Sequence, residues 1–370
     1  MATQITNFQC PSCTGPLHFD GASGKLLCDY CGSLFTVEEI EKQYGKKLDA
    51  AALGASAAKP AAEETPWDFD AAGSDWGEEA AHLISYNCPS CGAELICEET
   101  TAATSCPYCG NPTVVPGQFT GMLKPDLILP FKLSREDAIG ALRKYYQGKK
   151  LLPKSFKDEN HIEEVKGIYV PFWLFDGTAE ADLQFSATQV HVHRQGNKEI
   201  TETDHFQVRR AGSVEFRRIP VDGSKKMPDA HMDAIEPFDY TALKTFSAAY
   251  LPGFFADKYD MTAEDCAERA DRRAAATTED ILRDTVTGYS SVVKTGGSVS
   301  LRRGEVQYAL LPVWMLATRW HGNSYLFAMN GQTGKLIGDL PVSSALYWSW
   351  FARIALPLAA VIGAVLHFLF

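Results

Sequence analysis

The chain has 370 residues, 45% hydrophobic and 22% charged, an ordinary globular composition that excludes disordered and collagen-like classes. With 46 acidic against 35 basic residues its formal charge is −11, which argues against a protein built mainly to grip phosphate backbones. No basic-then-apolar stretch opens Met1 to Asp20, so no secretory signal is expected, and the cysteines are expected to stay reduced.

Residues 1–48 are expected to form a zinc ribbon followed by a short helix. Cys10 and Cys13 are answered by Cys28 and Cys31 in the pattern C-x2-C-x14-C-x2-C. The pattern returns 78 residues later at Cys88, Cys91, Cys106 and Cys109, in a second ribbon expected over 86–117. A two-residue gap lets one turn present two thiolates about 2.3 Å from one zinc ion, and the intervening hairpin brings back a second such turn. Gly32, Gly92 and Gly110, each directly after a cysteine, suit the sharp bend. Two structural Zn2+ sites follow, each closed by four sulfurs with no position left for a reacting water. Cys97 and Cys266 fall outside the pattern and suit small buried hydrophobes.

Charge bears on what the ribbons touch. Tyr86 to Gly117 holds no Lys or Arg but contains Glu94, Glu98 and Glu99, and Ile5 to Val37 has Lys25 against Asp20 and Asp29. Such surfaces repel phosphates, so protein contact or structural support is expected in place of nucleic acid. The helix expected over 37–48 has acids early and lysines late, as the helix dipole favours. Between the ribbons, 49–85 reads as an Ala-rich acidic linker, with seven acidic and no basic residues from Pro60 to His82. Trp67, Phe69 and Trp76 interrupt it, either as a docking motif for a basic groove or as side chains that fold back.

An internal repeat occupies 118–342 and predicts two α+β lobes, 118–260 and 261–342, each a helix on an antiparallel sheet. Ser134-Arg-Glu-Asp137 and Thr262-Ala-Glu-Asp265 both open helices with a capping residue and early acids. Each helix is followed by an apolar strand containing Pro-x-Trp, Pro171-Phe172-Trp173 and Pro312-Val313-Trp314, whose prolines point to edge or bulge positions. Leu183, Phe185 and Ala187 alternate with polar neighbours, and Asn330-Gly331 ends a further strand in a hairpin turn. His191 and His193 share a strand face, with His205 as a nearby partner; a bulge after Ala187 is expected to leave them on the solvent side. Arg209, Arg210, Arg217 and Arg218 flank an expected turn at Ala211-Gly212, a solvated hairpin or a contact for anionic lipid. No nucleophile elbow, H-E-x-x-H or dinucleotide fingerprint occurs, so no enzyme is expected.

Residues 343–370 predict a transmembrane helix. Ile354 to Phe370 has no formal charge over seventeen residues, and Tyr347, Trp348, Trp350 and Arg353 suit the interfacial belt. The bulk of the chain is then expected on the cytoplasmic side of the cell membrane, in a single-pass arrangement.

The passages Ser85 to Gly117 (SYNCPSCGAELICEETTAATSCPYCGNPTVVPG), Phe156 to Gly177 (FKDENHIEEVKGIYVPFWLFDG) and Phe327 to Pro341 (FAMNGQTGKLIGDLP) resemble a bacterial family of double-zinc-ribbon membrane proteins with transcription-factor-IIB-type ribbons. The resemblance covers nearly the whole chain. Some relatives are encoded beside SPFH (flotillin-like) and phage-shock-protein-A-like membrane-stress proteins. It implies all eight cysteines as metal ligands and a role as a membrane anchor or scaffold that recruits protein partners. The alternatives are a nucleic-acid-associated ribbon factor in transcription or replication, and an uncharacterised hydrolase.

Overall fold

The computed structural model describes residues 17–20, 23–28, 32–36, 39, 65–77, 83–98, 105–111, 115–117, 123–159, 162–196 and 198–369. Strands β1 (Leu17–Asp20), β2 (Lys25–Cys28) and β3 (Leu34–Phe35) make a small antiparallel sheet of their own. The helix expected over 37–48 lies outside the described residues, Glu39 apart.

Everything else is organised on one sheet of eleven strands. In chain order its parts are β4 (Leu83–Asn87), β5 (Glu94–Glu98), β6 (Val115–Gly117), β7 (Leu127–Ile128), helix α1 (Arg135–Tyr146), helix α2 (Lys154–Glu159), β8 (Lys166–Gln195) and β9 (Lys198–Asp222). Helix α3 (Asp229–Ile235), β10 (Lys244–Thr245), β11 (Phe255–Asp257), α4 (Ala263–Asp284), β12 (Ser291–Trp320), β13 (Asn323–Asn330), β14 (Leu336–Gly338) and α5 (Ser344–Leu369) follow. The spatial order is β10-β7-β12-β8-β11-β5-β4-β6, with β9 beside β8 and the β13–β14 hairpin beside β12.

Two equivalent sequences build the centre, and they exchange parts. Ser134 and Thr262 both close capping boxes, with Asp137 and Asp265 returning the bond to the cap backbone. The short strand before each helix does not join the long strand that follows that helix. Instead β7 runs parallel to β12 (Leu310↔Ile128), and β11 runs parallel to β8 (Ala256↔Tyr169). The tryptophans complete the exchange. Trp173 Nε1 on β8 donates to Met261 O just before α4 (2.9 Å), and Trp314 Nε1 on β12 donates to Leu133 O just before α1 (3.2 Å). Residues 118–260 and 261–342 thus share one sheet, with a β8 indole bonded to the backbone just before α4 and a β12 indole bonded to the backbone just before α1.

The prolines overturn the edge expectation. β8 and β12 are central, antiparallel neighbours, with Pro171 opposite Leu310 and Pro312 opposite Tyr169. Each proline falls where one flanking strand gives way to the next. On β8 the pairing passes from β11 at Tyr169 to β9 at Phe172; on β12 it passes from β7 at Leu310 to β13 at Val313. A missing N–H costs least at such a handover, and each proline carbonyl is still used, by Gly223 N–H (2.8 Å) and Gly331 N–H (2.9 Å).

The core beneath this crossing is aromatic. Phe131 stacks on Phe254 with centroids 4.2 Å apart, while Tyr169 and Trp314 meet it edge-on. Gly331 permits the packing, since a Cβ there would lie 2.6 Å from the Phe131 ring. The Gly331–Lys335 hairpin turn between β13 and β14 is present as expected.

Away from the core, β8 and β9 run on as a two-stranded arm once β12 ends its pairing at Ser291↔Thr188. His191 and His193 sit there, opposite Glu202 and Ile200, and are exposed because the arm has left the core; the β8–β9 register is continuous from Gly177 to Gln195, so no bulge in that pairing is involved. His205 faces Thr188 instead of the other histidines. The turn expected at Ala211-Gly212 is absent as well, for β9 is continuous from Lys198 to Asp222. Its arginines are engaged locally: Arg209 with Asp182, Arg210 with Thr285, Arg217 with Glu215, and Arg218 with Tyr240 O.

The described end of the linker, Thr65 to Gly77, folds back onto its own protein, which removes its tryptophans from use as a docking motif. Trp67 is buried edge-on to Phe175 (4.9 Å) with Nε1 donating to Asp271 (3.1 Å), and Trp76 is buried edge-on to Phe246 (5.5 Å). Burying two indoles outweighs the acidic flanks, because Asp68 also gains backbone bonds to Gly304 O (3.0 Å) and Val306 N–H (3.1 Å).

Helix α5 leaves this body with its apolar side chains uncovered. Its segment Ser344–Gly363 is long and apolar enough to cross a membrane, with mean hydropathy 1.5 and 0% buried. Its base is tied down: Ser343 N–H donates to Leu151 O (3.0 Å), and Lys150 Nζ lies 4.4 Å from the Trp350 ring centre.

Candidate metal centre

Two turns bring four thiols together. In the first, Cys88 N–H donates to Ala93 O (2.8 Å) and Gly92 N–H returns to Cys88 O (2.9 Å). The second repeats it, with Cys106 N–H to Asn111 O (2.8 Å) and Gly110 N–H to Cys106 O (2.9 Å). Gly92 and Gly110 take φ of +70° and +67°, left-handed values that carry no steric penalty only for glycine. Strands β4 and β5 pair from Leu83↔Glu98 to Asn87↔Glu94 and set the first turn at the end of their hairpin.

The Sγ atoms of Cys88, Cys91, Cys106 and Cys109 all lie within 4.8 Å of one another, an arrangement that can hold a metal ion. Cys88 to Cys109 and Cys91 to Cys106 are each 3.6 Å apart. Cys88 and Cys106 are buried, whereas Cys91 faces solvent. Burial pushes the Cys91 thiol up to about 11 and Cys106 higher still. Cys88 is also opposed by burial, yet backbone donors from Cys91 and Ser90 bring it down to about 7. The Cys88 sulfur is therefore ready to ionise near neutrality, while Cys91 and Cys106 need a cation before they lose their protons.

The centre is built into the main sheet. β5 pairs with β11 (Ala256↔Ile96, Asp257↔Leu95), which continues the eleven-stranded order. Tyr108, between two of the cysteines, is buried and donates its hydroxyl to Asp257 Oδ2 at 2.5 Å. Ser224 Oγ donates to the same oxygen (2.8 Å), and Lys226 Nζ stands 3.6 Å from Oδ1. Complete burial raises the Asp257 carboxyl to about 6, against the opposing pull of Lys226 and its two hydroxyl donors. On another side Lys166, at the start of β8, donates to Ser105 O (2.7 Å); burial lowers its pKa, while Glu164 and Cys106 pull it back up.

The other cysteines fall into place unequally. Cys28 is buried in a turn with the same two bonds, Cys28 N–H to Ser33 O (3.0 Å) and Gly32 N–H to Cys28 O (2.8 Å), and Gly32 has φ +71°. Cys10, Cys13 and Cys31 lie outside the described residues. Cys97 and Cys266 are buried apart from the cluster, in strand β5 and helix α4, as small hydrophobes. Tyr108, Asp257, Ser224, Lys226 and Lys166 were not singled out from sequence. Tyr108 alone carried a local signal, an aromatic residue set inside a cysteine pair.

The uncharacterized protein YdjG of Bacillus subtilis is 33% identical to this chain over 322 residues, covering 74% of this chain and 94% of YdjG. This chain belongs to the YdjG family. No protein-family profile and no solved structure matches it.

Proposed function

We propose that this chain is a non-enzymatic, zinc-containing membrane scaffold, held in the bilayer by α5 and presenting its sheet to protein partners. The observation that carries the reading is α5 itself: a long apolar helix with its candidate span 0% buried, tied at its base to the connection between α1 and α2. An apolar surface of that length left in water would be strongly unfavourable, and a hydrocarbon core of about 30 Å accommodates it. Tyr347, Trp348, Trp350 and Arg353 fit the interfacial level, which leaves the body on one side of the membrane.

Zinc suits the thiol cluster on its donor chemistry. A tetrahedral ion with sulfurs at about 2.3 Å holds them about 3.8 Å apart, close to the two 3.6 Å pairs. Four sulfurs fill such an ion's coordination, so the zinc would brace the β4–β6 unit against β11 and supply rigidity. A second zinc is proposed for Cys10, Cys13, Cys28 and Cys31, on the shared spacing and the matching Cys28 turn. The partners proposed are the SPFH-type or phage-shock-type proteins that the resemblance implies, reached from the cytoplasmic side of the cell membrane.

Membrane fractionation with alkaline carbonate washing, together with crosslinking in native membranes and identification of the bound proteins, tests this. Retention in the washed membrane with crosslinks to a membrane-stress partner is expected. Release into the soluble fraction would refute the anchoring.

A further inference from the structure

In a chain with formal charge −11, the stretch from Ala138 to Phe156 holds five basic residues and no acidic one: Arg143, Lys144, Lys149, Lys150 and Lys154. All five are exposed. Helix α1 is polarised to match, with Glu136 and Asp137 in its first turn and Arg143 and Lys144 in its last. The basic end lies at the base of α5. Tyr145 Oη donates to Gly338 O (2.9 Å), shortly before α5, and Leu151 O accepts from Ser343 N–H at the helix start.

The level along α5 is fixed by one contact. Lys150 Nζ sits 4.4 Å from the centre of the Trp350 ring, with the Arg353 guanidinium 5.8 Å from the same ring. Trp350 lies six residues into α5, about 9 Å along its axis at ~1.5 Å per residue. If the apolar run after Arg353 fills the hydrocarbon, Lys150 stands at the headgroup layer and Lys149 and Lys154 flank it there. The carboxylate of Asp339, which acts on Tyr145 and lies 3.5 Å from His231, is also nearby.

We propose that Lys149, Lys150 and Lys154, with Arg143 and Lys144 behind them, form a binding face for the headgroups of anionic phospholipids around the base of α5. The proposal rests on the membrane reading of α5. The occupant is argued from continuity: the cations surround the point where the chain would enter the bilayer, and cations at that depth attract anionic lipids. It places the lipid contact away from Arg209 to Arg218, which bond to Asp182, Thr285, Glu215 and Tyr240 O within the protein.

The test uses the full chain reconstituted into phosphatidylcholine vesicles containing a trace of dansyl-labelled phosphatidylglycerol or dansyl-labelled phosphatidylcholine. Energy transfer from the tryptophans at the base of α5 reports which labelled lipid gathers there. Transfer to the anionic label is expected to correspond to roughly fivefold enrichment over the zwitterionic one at low salt, and to fall toward parity in about 1 M salt. The triple variant K149Q/K150Q/K154Q should lose the enrichment, while K149R/K150R/K154R should keep it. Equal transfer to both labels in the parent, or undiminished enrichment in the Gln variant, would overturn the proposal. Flotation of the same samples in high salt separates the two readings. Protein that floats without enrichment removes only the headgroup face, whereas protein that does not float with any vesicle removes the anchor and the face together.

Discussion

Trp173→Phe probes the exchange at the centre of the sheet. Trp173 is 2% exposed, and its indole donates to Met261 O at 2.9 Å, immediately before the Thr262 cap of α4. Phenylalanine keeps part of the ring but removes the donor, leaving a part-buried carbonyl short of a partner at a cost of about 1–3 kcal/mol. The missing ring atoms add about 1–2 kcal/mol at roughly 0.8 kcal/mol per carbon group. The sum, about 2–5 kcal/mol, corresponds to some 2–4 °C of melting temperature per kcal/mol in a chain approaching this size. Size alone does not identify the cause, so the location of the loss is read by hydrogen exchange. The crossed arrangement requires the variant in β8, from the first half of the repeat, to loosen the first turn of α4 in the second half. Trp314→Phe should loosen the start of α1 in return, through Leu133 O. If each variant instead increases exchange only around the helix of its own half, the exchange of elements described here is wrong.

Cys106→Ser should lower bound zinc by one ion per chain, measured by elemental analysis, and should raise hydrogen exchange at Phe255–Asp257, because β5 pairs directly with β11; unchanged stoichiometry would refute the site. Asp257→Asn should alter the pH dependence of stability. A folded-state carboxyl raised from 3.8 to about 6 binds its proton more tightly than the unfolded chain does, so its contribution is present at acid pH and lost as pH rises through about 6. Denaturant midpoints for parent and variant, compared from pH 4 to 7, should therefore diverge across that window, and parallel curves would contradict the assignment. Trp67→Ala removes an edge-on contact with Phe175 and the bond to Asp271, and should cost about 3–5 kcal/mol, with new protease cleavage between Thr65 and Gly77 as the readout; an unchanged cleavage pattern would show that the indole does not hold the segment.

Short-range chemistry was written plainly in the chain. The C-x2-C turns, their following glycines and the two capping boxes each depend on residues within a few positions of one another, so spacing alone placed Cys88, Cys91, Cys106 and Cys109 around one point and opened α1 and α4 at Ser134 and Thr262. The apolar closing helix was equally readable, because length and the absence of charge are local properties. Partner choice between strands was not. Nothing near Leu127 or Phe255 in sequence says that β7 will run beside β12 and β11 beside β8, since the same apolar pattern would bury equally well against the long strand that follows its own helix. Pro171 and Pro312 looked like edge residues for the same reason: a missing N–H is harmless at an edge, but also at a handover between two neighbours, and only the assembled sheet reveals the handover. The acidic tally of the linker likewise concealed that Trp67 and Trp76 find aromatic partners more than a hundred residues away. Local geometry is set by nearest neighbours along the chain, while pairing and burial are set by which distant surfaces fit, and that competition is settled only when the whole sheet closes.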